Sequence, residues 1–215
     1  IYNKSSKYVK LKKNDVVLDI GANDGTLLKF FKKKCITIGC EPANNLIGKL
    51  KKNSKYIIND FWSYKNVYKI LKKNNLIKPK LITAIGMFYD LEDPNKFIKD
   101  AAKALHEDGI FIAQLMCLKS MLKKNDLGNI CHEHLEFYSL KSLKYLFENN
   151  GLEMFKIEEN EINGGSFRIY CRKLNKGSIK FNEPNTLKSI MKFIKRVNIN
   201  KKNTMNFINE QIKKN

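Results

Sequence analysis

Two of the chain's three histidines stand within the stretch ICHEHLEFY, Ile130 to Tyr138, beside a thiol, two carboxylates and two aromatics. Three uses are open to His132, Glu133 and His134. Side chains two apart on an extended segment point to one side, so the histidines could share a metal ion. Further ligands with a metal-site spacing are lacking, since the third histidine, His106, lies in a helix-to-strand turn. The segment could also be a polar loop packed for structure alone. Proton transfer is the third use: imidazole titrates near neutral pH, and an adjacent carboxylate can fix its tautomer and stabilise the imidazolium.

A second group of residues points to a nucleoside. In VVLDIGANDGTLL, Gly21 and Gly25 sit at a strand-to-helix turn, where glycine lets the backbone pass close to a ligand and a helix N-terminus offers free N–H groups. The dinucleotide pattern G-x-G-x-x-G is not matched, because Asn23 stands in place of its second glycine. Glu41, at the end of the next strand in TIGCEPANN, is placed to take ribose hydroxyls. Asp60, in NDFW, is placed to accept from an adenine amino group, with Phe61 or Trp62 against the ring. Surface positions at strand ends are the alternative for each taken singly.

The elements that must hold these groups are short apolar runs alternating with helical patterns. Strands are expected at 16–20, 36–40, 56–58, 81–85 and 110–115, and helices at 26–34, 43–52, 64–73 and 94–105. Leu27, Leu28, Phe30 and Phe31 are all expected to face inward. Strands joined by helical crossovers give an α/β fold, a doubly wound, mostly parallel sheet of Rossmann-like type. Beyond it come a short helix over 118–124, an amphipathic helix over 140–150 closed by Gly151, and an antiparallel hairpin of strands 152–158 and 166–172 turning tightly at Asn163-Gly164-Gly165. A Lys-rich helix from Leu187 ends the chain. The expected division is a catalytic domain over 1–175 and a helical extension over 176–215, the start of a further domain.

Composition narrows the partners. The net charge is +20, yet only Arg168, Arg172 and Arg196 of the 41 basic residues are arginine, and the lysines are spread through every segment. A solvated lysine surface fits this better than a nucleic-acid footprint of clustered arginine and stacking aromatics. No run reaches the roughly 20 apolar residues of a membrane span. Five cysteines without a C-x-x-C pair fit reduced thiols in a cytoplasmic protein.

LDIGANDGTLL, IGCEPANN, MFYDLEDP, EDGIF, ICHEHLEFYSL and NGGSFRIYC, in this order over about residues 8–173, resemble the sugar C-methyltransferases of the class I S-adenosylmethionine-dependent methyltransferases. The resemblance implies transfer of a methyl group from S-adenosylmethionine to a carbon of a nucleotide-linked keto-deoxy sugar. Its implied cofactor set is Asp19, Gly21, Asn23, Gly25, Glu41, Pro42, Asp60, Phe61 and Gly86, with Asp19 and Gly21 beside the methionine moiety. It also implies His134 as base, supported by Glu133, with His132 adjoining. Phe88, Tyr89, Tyr138, Asn163, Gly165, Ser166 and Arg168 are the expected substrate contacts; for Gly164, Gly165, Ser166 and Arg168 the alternatives are phosphate binding and a plain hairpin with Arg168 in solvent, and for Phe88 a place in the core. Members of that family also carry an N-terminal zinc-binding cysteine module and a C-terminal α/β domain, absent from these 215 residues, which therefore read as part of a longer protein. Other classes that share the cofactor half are O- or N-methyltransferases of small molecules and a non-catalytic domain serving as an interaction module.

Overall fold

A computed structural model describes residues 1–214. After a short helix α1 (Tyr2–Ser5), the chain alternates β1 (Val16–Ile20), α2 (Thr26–Phe31), β2 (Ile36–Cys40), α3 (Asn44–Asn53), β3 (Tyr56–Ile58), α4 (Tyr64–Lys73), β4 (Leu81–Ile85), α5 (Pro94–Ala104) and β5 (Ile110–Met116). There follow α6 (Leu118–Lys124), α7 (Leu140–Asn149), the hairpin β6 (Leu152–Asn160) and β7 (Ser166–Lys173), and α8 (Thr186–Ile212). The seven strands form one sheet in the order β3-β2-β1-β4-β5-β7-β6. β1 to β5 run parallel, whereas β7 pairs antiparallel with β5 and β6.

Every residue of β1 and β5 is buried, as strands covered on both faces require. Alternation divides them: Leu18, Ile82 and Phe111 join one core layer, while Val17, Leu81 and Tyr170 join the other. Because the chain leaves β1 toward β2 on one side and places β4 on the other, a crevice opens at the carboxyl ends of these strands.

Two local expectations are corrected. In α2 only Leu28 and Phe31 are buried; Leu27 is half-buried and Phe30 is 58% exposed. Residues 28 and 31 lie three apart on one helical face, and Phe30 falls off it. The hairpin turn is longer than the expected Asn163-Gly164-Gly165. Residues 161–165 connect β6 to β7 through a single 3-10 turn, Ile162–Gly164.

The extension beyond 175 is in two parts. Ile179 N–H donates to Met154 O (2.8 Å), Phe181 packs on the main core, and the Glu183 carboxylate accepts from Leu140 and Lys141 N–H (2.7 and 3.1 Å) at the start of α7. An anion there satisfies free helix N–H groups. Phe193 is buried against Leu118, Met121 and Leu122 of the α6 region. From Asn198 to Lys214 every residue is exposed. No helix among the described residues is long and apolar enough to cross a membrane.

Candidate functional site

The large cavity is built from the glycine turn upward. Gly21, Asn23 and Gly25 have φ of +69°, +51° and +80°, so the chain reverses after β1 in a left-handed path that glycine and asparagine tolerate. Gly21 and Ala22 N–H both donate to Cys40 O (2.9 and 3.0 Å), tying the turn to the end of β2. A Cβ at Gly25 would stand 2.8 Å from Asn53 Cβ, so the turn packs directly on α3. Glu41 is buried. Its Oε2 accepts from Asn23 N–H (2.8 Å) and its Oε1 from Ala43 N–H (2.9 Å).

These groups border a cavity of about 840 Å3, lined among others by Gly21, Asn23, Glu41, Pro42, Phe61, Trp62 and Gly86. Its size lies within the range of about 300–1,000 Å3 usual for small-molecule sites. Each carboxylate oxygen of Glu41 keeps a lone pair beyond its backbone bond, enough to accept from a diol. Phe61, 76% exposed, and Trp62 offer ring faces. Met87, Asp90 and Leu91 also line the cavity; they fall within MFYDLEDP but were not among the expected cofactor residues.

Three expected cofactor residues stand elsewhere. Asp60 is not in the lining: its Oδ1 accepts from Phe61 N–H (2.7 Å) and its Oδ2 from Asn66 Nδ2 (2.9 Å). Gly25 serves the packing on α3. Asp19 is not in the lining either: it is buried on the face of β1 opposite to that of Ile20, which lines the cavity. Asp19 pairs in register with Thr83 of β4, whose hydroxyl donates to its Oδ1 (2.6 Å). Burial, opposed by that bond and reinforced by the nearby Glu41 charge, pushes the Asp19 carboxyl up to about 7.

A smaller cavity of about 160 Å3 adjoins the first through Gly86, which lines both. Around it stand Tyr89, Gln114, Asn129, His134, Asn163 and Ser166, from four separate segments. The HEH segment is an irregular loop. It is held by Tyr89 O, which accepts from Leu135 and Glu136 N–H (3.0 and 3.1 Å). His134 Nδ1 lies 2.8 Å from Asn129 O. A carbonyl only accepts, so in the neutral ring Nδ1 carries the proton and Nε2 the lone pair. The ring also meets Tyr89 edge-on.

The expected support from Glu133 is corrected here. Glu133 and His132 are exposed, and neither bonds to His134. A backbone carbonyl fixes the tautomer instead. The acidic group facing the loop from the large cavity is Asp90, whose carboxyl is raised by burial and by Glu133, and lowered by His134.

Of the expected substrate contacts, Tyr89, Asn163 and Ser166 line the small cavity. Phe88 does not. It is fully buried among Phe97, Tyr138 and Phe147, because it is the inward residue of the 3-10 turn Phe88–Asp90. Tyr138 lies in the same aromatic cluster, its hydroxyl buried without a partner and its pKa raised by burial. Gly165 holds the hairpin against α6: its φ is +130° and an added Cβ would lie 2.4 Å from Ser120 Cβ. Arg168 is buried and already paired, to Gln114 Oε1 from Nε and Nη2 (2.9 and 2.7 Å) and to Glu158 (3.4 Å), so it is neither a solvent residue nor a free phosphate ligand.

The family described as "Methyltransferase domain" matches residues 3–157. The chain belongs to that family. This methyltransferase domain is 27% identical over 164 residues to the C-methyltransferase NovU of Streptomyces niveus, covering 76% of this chain and 39% of the relative. It thus spans about two fifths of that relative's length. Its fold is shared with an S-adenosylmethionine-dependent methyltransferase from Clostridium acetobutylicum, at 12% identity and a TM-score of 0.57 over 81% of this chain and 88% of that one. A TehB-like SAM-dependent methyltransferase from Corynebacterium glutamicum matches with 14% identity and a TM-score of 0.52 over 75% and 82%.

Proposed function

We propose that this S-adenosylmethionine-dependent methyltransferase domain methylates a carbon next to the carbonyl of a nucleotide-linked keto sugar, with His134 as the base. The observation that carries the reading is the His134 Nδ1 to Asn129 O bond inside a cavity that meets the large one at Gly86. A base fixed in one tautomer is needed for a carbon acceptor, whose C–H must be broken before it can attack; oxygen and nitrogen acceptors already carry a lone pair. The likeness to a C-methyltransferase supports the same choice.

The bound cofactor supplies a methyl group on a positively charged sulfur. Glu41 would take its ribose hydroxyls, Phe61 and Trp62 its adenine, and the backbone around Gly21 its methionine end. His134 Nε2 removes the proton beside the carbonyl, and the C–H electron pair is shared between that carbon and the carbonyl oxygen as an enolate. That carbon would then be the nucleophile toward the methyl group that the bound cofactor supplies. The proton passes from His134 to water. General-base help of this kind contributes about 10²- to 10⁴-fold. Holding acceptor and donor in adjoining cavities contributes orientation.

The test pairs calorimetry with isotope exchange. S-adenosylmethionine should bind the 215-residue chain, and a thymidine-linked 4-keto-deoxy sugar kept in D2O should lose its C3 proton signal in the presence of the protein. Methylation of an oxygen or nitrogen acceptor, without C–H exchange in any keto sugar, would overturn the reading.

A further inference from the structure

Gln114 was marked by no motif, yet it stands where a reacting carbonyl would be held. On β5 it pairs in antiparallel register with Arg168 of β7. Its Oε1 accepts from Arg168 Nε and Nη2. A guanidinium has donors only, so the amide oxygen must face Arg168 and the amide nitrogen must face away. Nε2 has no protein partner, and it is not among the sealed unpartnered polar atoms of the described residues, which are Asn125 Oδ1, Tyr138 OH and Asn160 Nδ2. It is therefore reached from the small cavity that Gln114 lines beside His134.

Three other side-chain donors of that cavity are engaged. Ser166 Oγ donates to Ile162 O (2.7 Å), Tyr89 OH to Gly86 O (3.2 Å) and Asn129 Nδ2 to Asp126 (2.6 Å). Asn163 sits on the exposed hairpin turn. The Gln114 amide is fixed from behind: Arg168 reaches Glu158, which also accepts from Tyr170 OH (3.2 Å) and Lys4 Nζ (2.7 Å). A carboxylate at 114 would match the buried guanidinium better in charge. An amide leaves N–H groups for something else.

We propose that Gln114 Nε2 is the hydrogen-bond donor to the acceptor's carbonyl oxygen, stabilising the negative charge that gathers there as His134 removes the adjacent proton. The assignment rests on the keto-acceptor reading above. No proton leaves the amide; the charge passes on to the new carbon–carbon bond as the enolate collapses. A donor held rigid before charge develops loses nothing to reorganisation, and removing one such donor lowers kcat by about 10²- to 10³-fold.

Gln114→Glu keeps a partner for Arg168 and removes the donor; Gln114→Met removes it without adding charge. Both should lower kcat for methyl transfer by about 10²-fold or more. The rate of C3 proton exchange in D2O should fall in parallel, with the acceptor KM within about threefold and S-adenosylmethionine affinity, read by calorimetry, unchanged. Exchange and kcat within threefold of the unaltered protein in both variants would overturn the role of Gln114 while leaving that of His134, provided His134→Asn abolishes exchange. Absence of exchange in the unaltered protein would overturn both assignments together.

Discussion

The ring of His134 meets the ring of Tyr89 edge-on, centroids 4.6 Å apart and planes at 68°. Tyr89 also holds the loop of His134 by its carbonyl and reaches Gly86 O by its hydroxyl. A residue lining the small cavity thus sets the position of the imidazole.

Tyr89→Phe should keep the ring contact and lose one hydrogen bond, lowering kcat less than about fivefold, given a net worth near 1 kcal/mol. Tyr89→Ala should free the imidazole and lower kcat about 10²-fold, since small misplacements of a reacting group are that costly. Steady-state kinetics on the pair separates the ring from the hydroxyl.

His134→Asn should lower methyl transfer by about 10²- to 10⁴-fold and leave donor affinity within twofold. His132→Asn and Glu133→Gln, both exposed and unbonded to His134, should stay within about threefold of the unaltered rate. A loss for Glu133→Gln as large as for His134→Asn would restore the carboxylate as the orienting group.

Glu41→Gln replaces one acceptor oxygen with an amide NH2 that faces a backbone N–H, at Asn23 or at Ala43. A charge-assisted bond of this kind is worth about 1.5–3 kcal/mol, so S-adenosylmethionine affinity should fall about 10- to 100-fold by calorimetry. Asp60→Asn, whose carboxylate serves Phe61 and Asn66, should change affinity far less.

Asp19 binds its proton more tightly in the folded chain than in the unfolded one, where a carboxyl titrates near about 4. Folding therefore takes up a proton between about pH 4 and 7. The contribution of Asp19 to stability is largest below that window and falls as pH rises toward about 7, by roughly 4 kcal/mol in all. Asp19→Asn keeps an acceptor for Thr83 and removes the titration. In melting curves it should exceed the unaltered protein by several degrees at pH 8, with the gap closing toward pH 4.5.

Gly165→Ala should destabilise the fold by about 2–4 kcal/mol, from strain at positive φ and from overpacking on Ser120. Denaturant unfolding measures it. Gly86→Ala, with open space around its missing Cβ, carries the φ penalty alone and should cost less.

The order of strands and helices was legible because apolar runs and turn glycines repeat with the sheet's own period, so β1 to β5 fall close to where the sequence puts them. The placement of Gly21, Glu41 and His134 at the cavities was legible for a related reason: each lies next to a turn or strand end. What a side chain faces across the fold was not written there. Asp19 pairs with a threonine 64 residues away, Phe88 turns into an aromatic cluster, and Arg168 is taken by an amide 54 residues away. Pairing of strands far apart in sequence decided the places of Asp19 and Arg168, and it brought Gln114 to the cavity of His134. A pattern along the chain records periodicity and local turns; the partner of a buried polar group is set by the register of strands far apart in sequence.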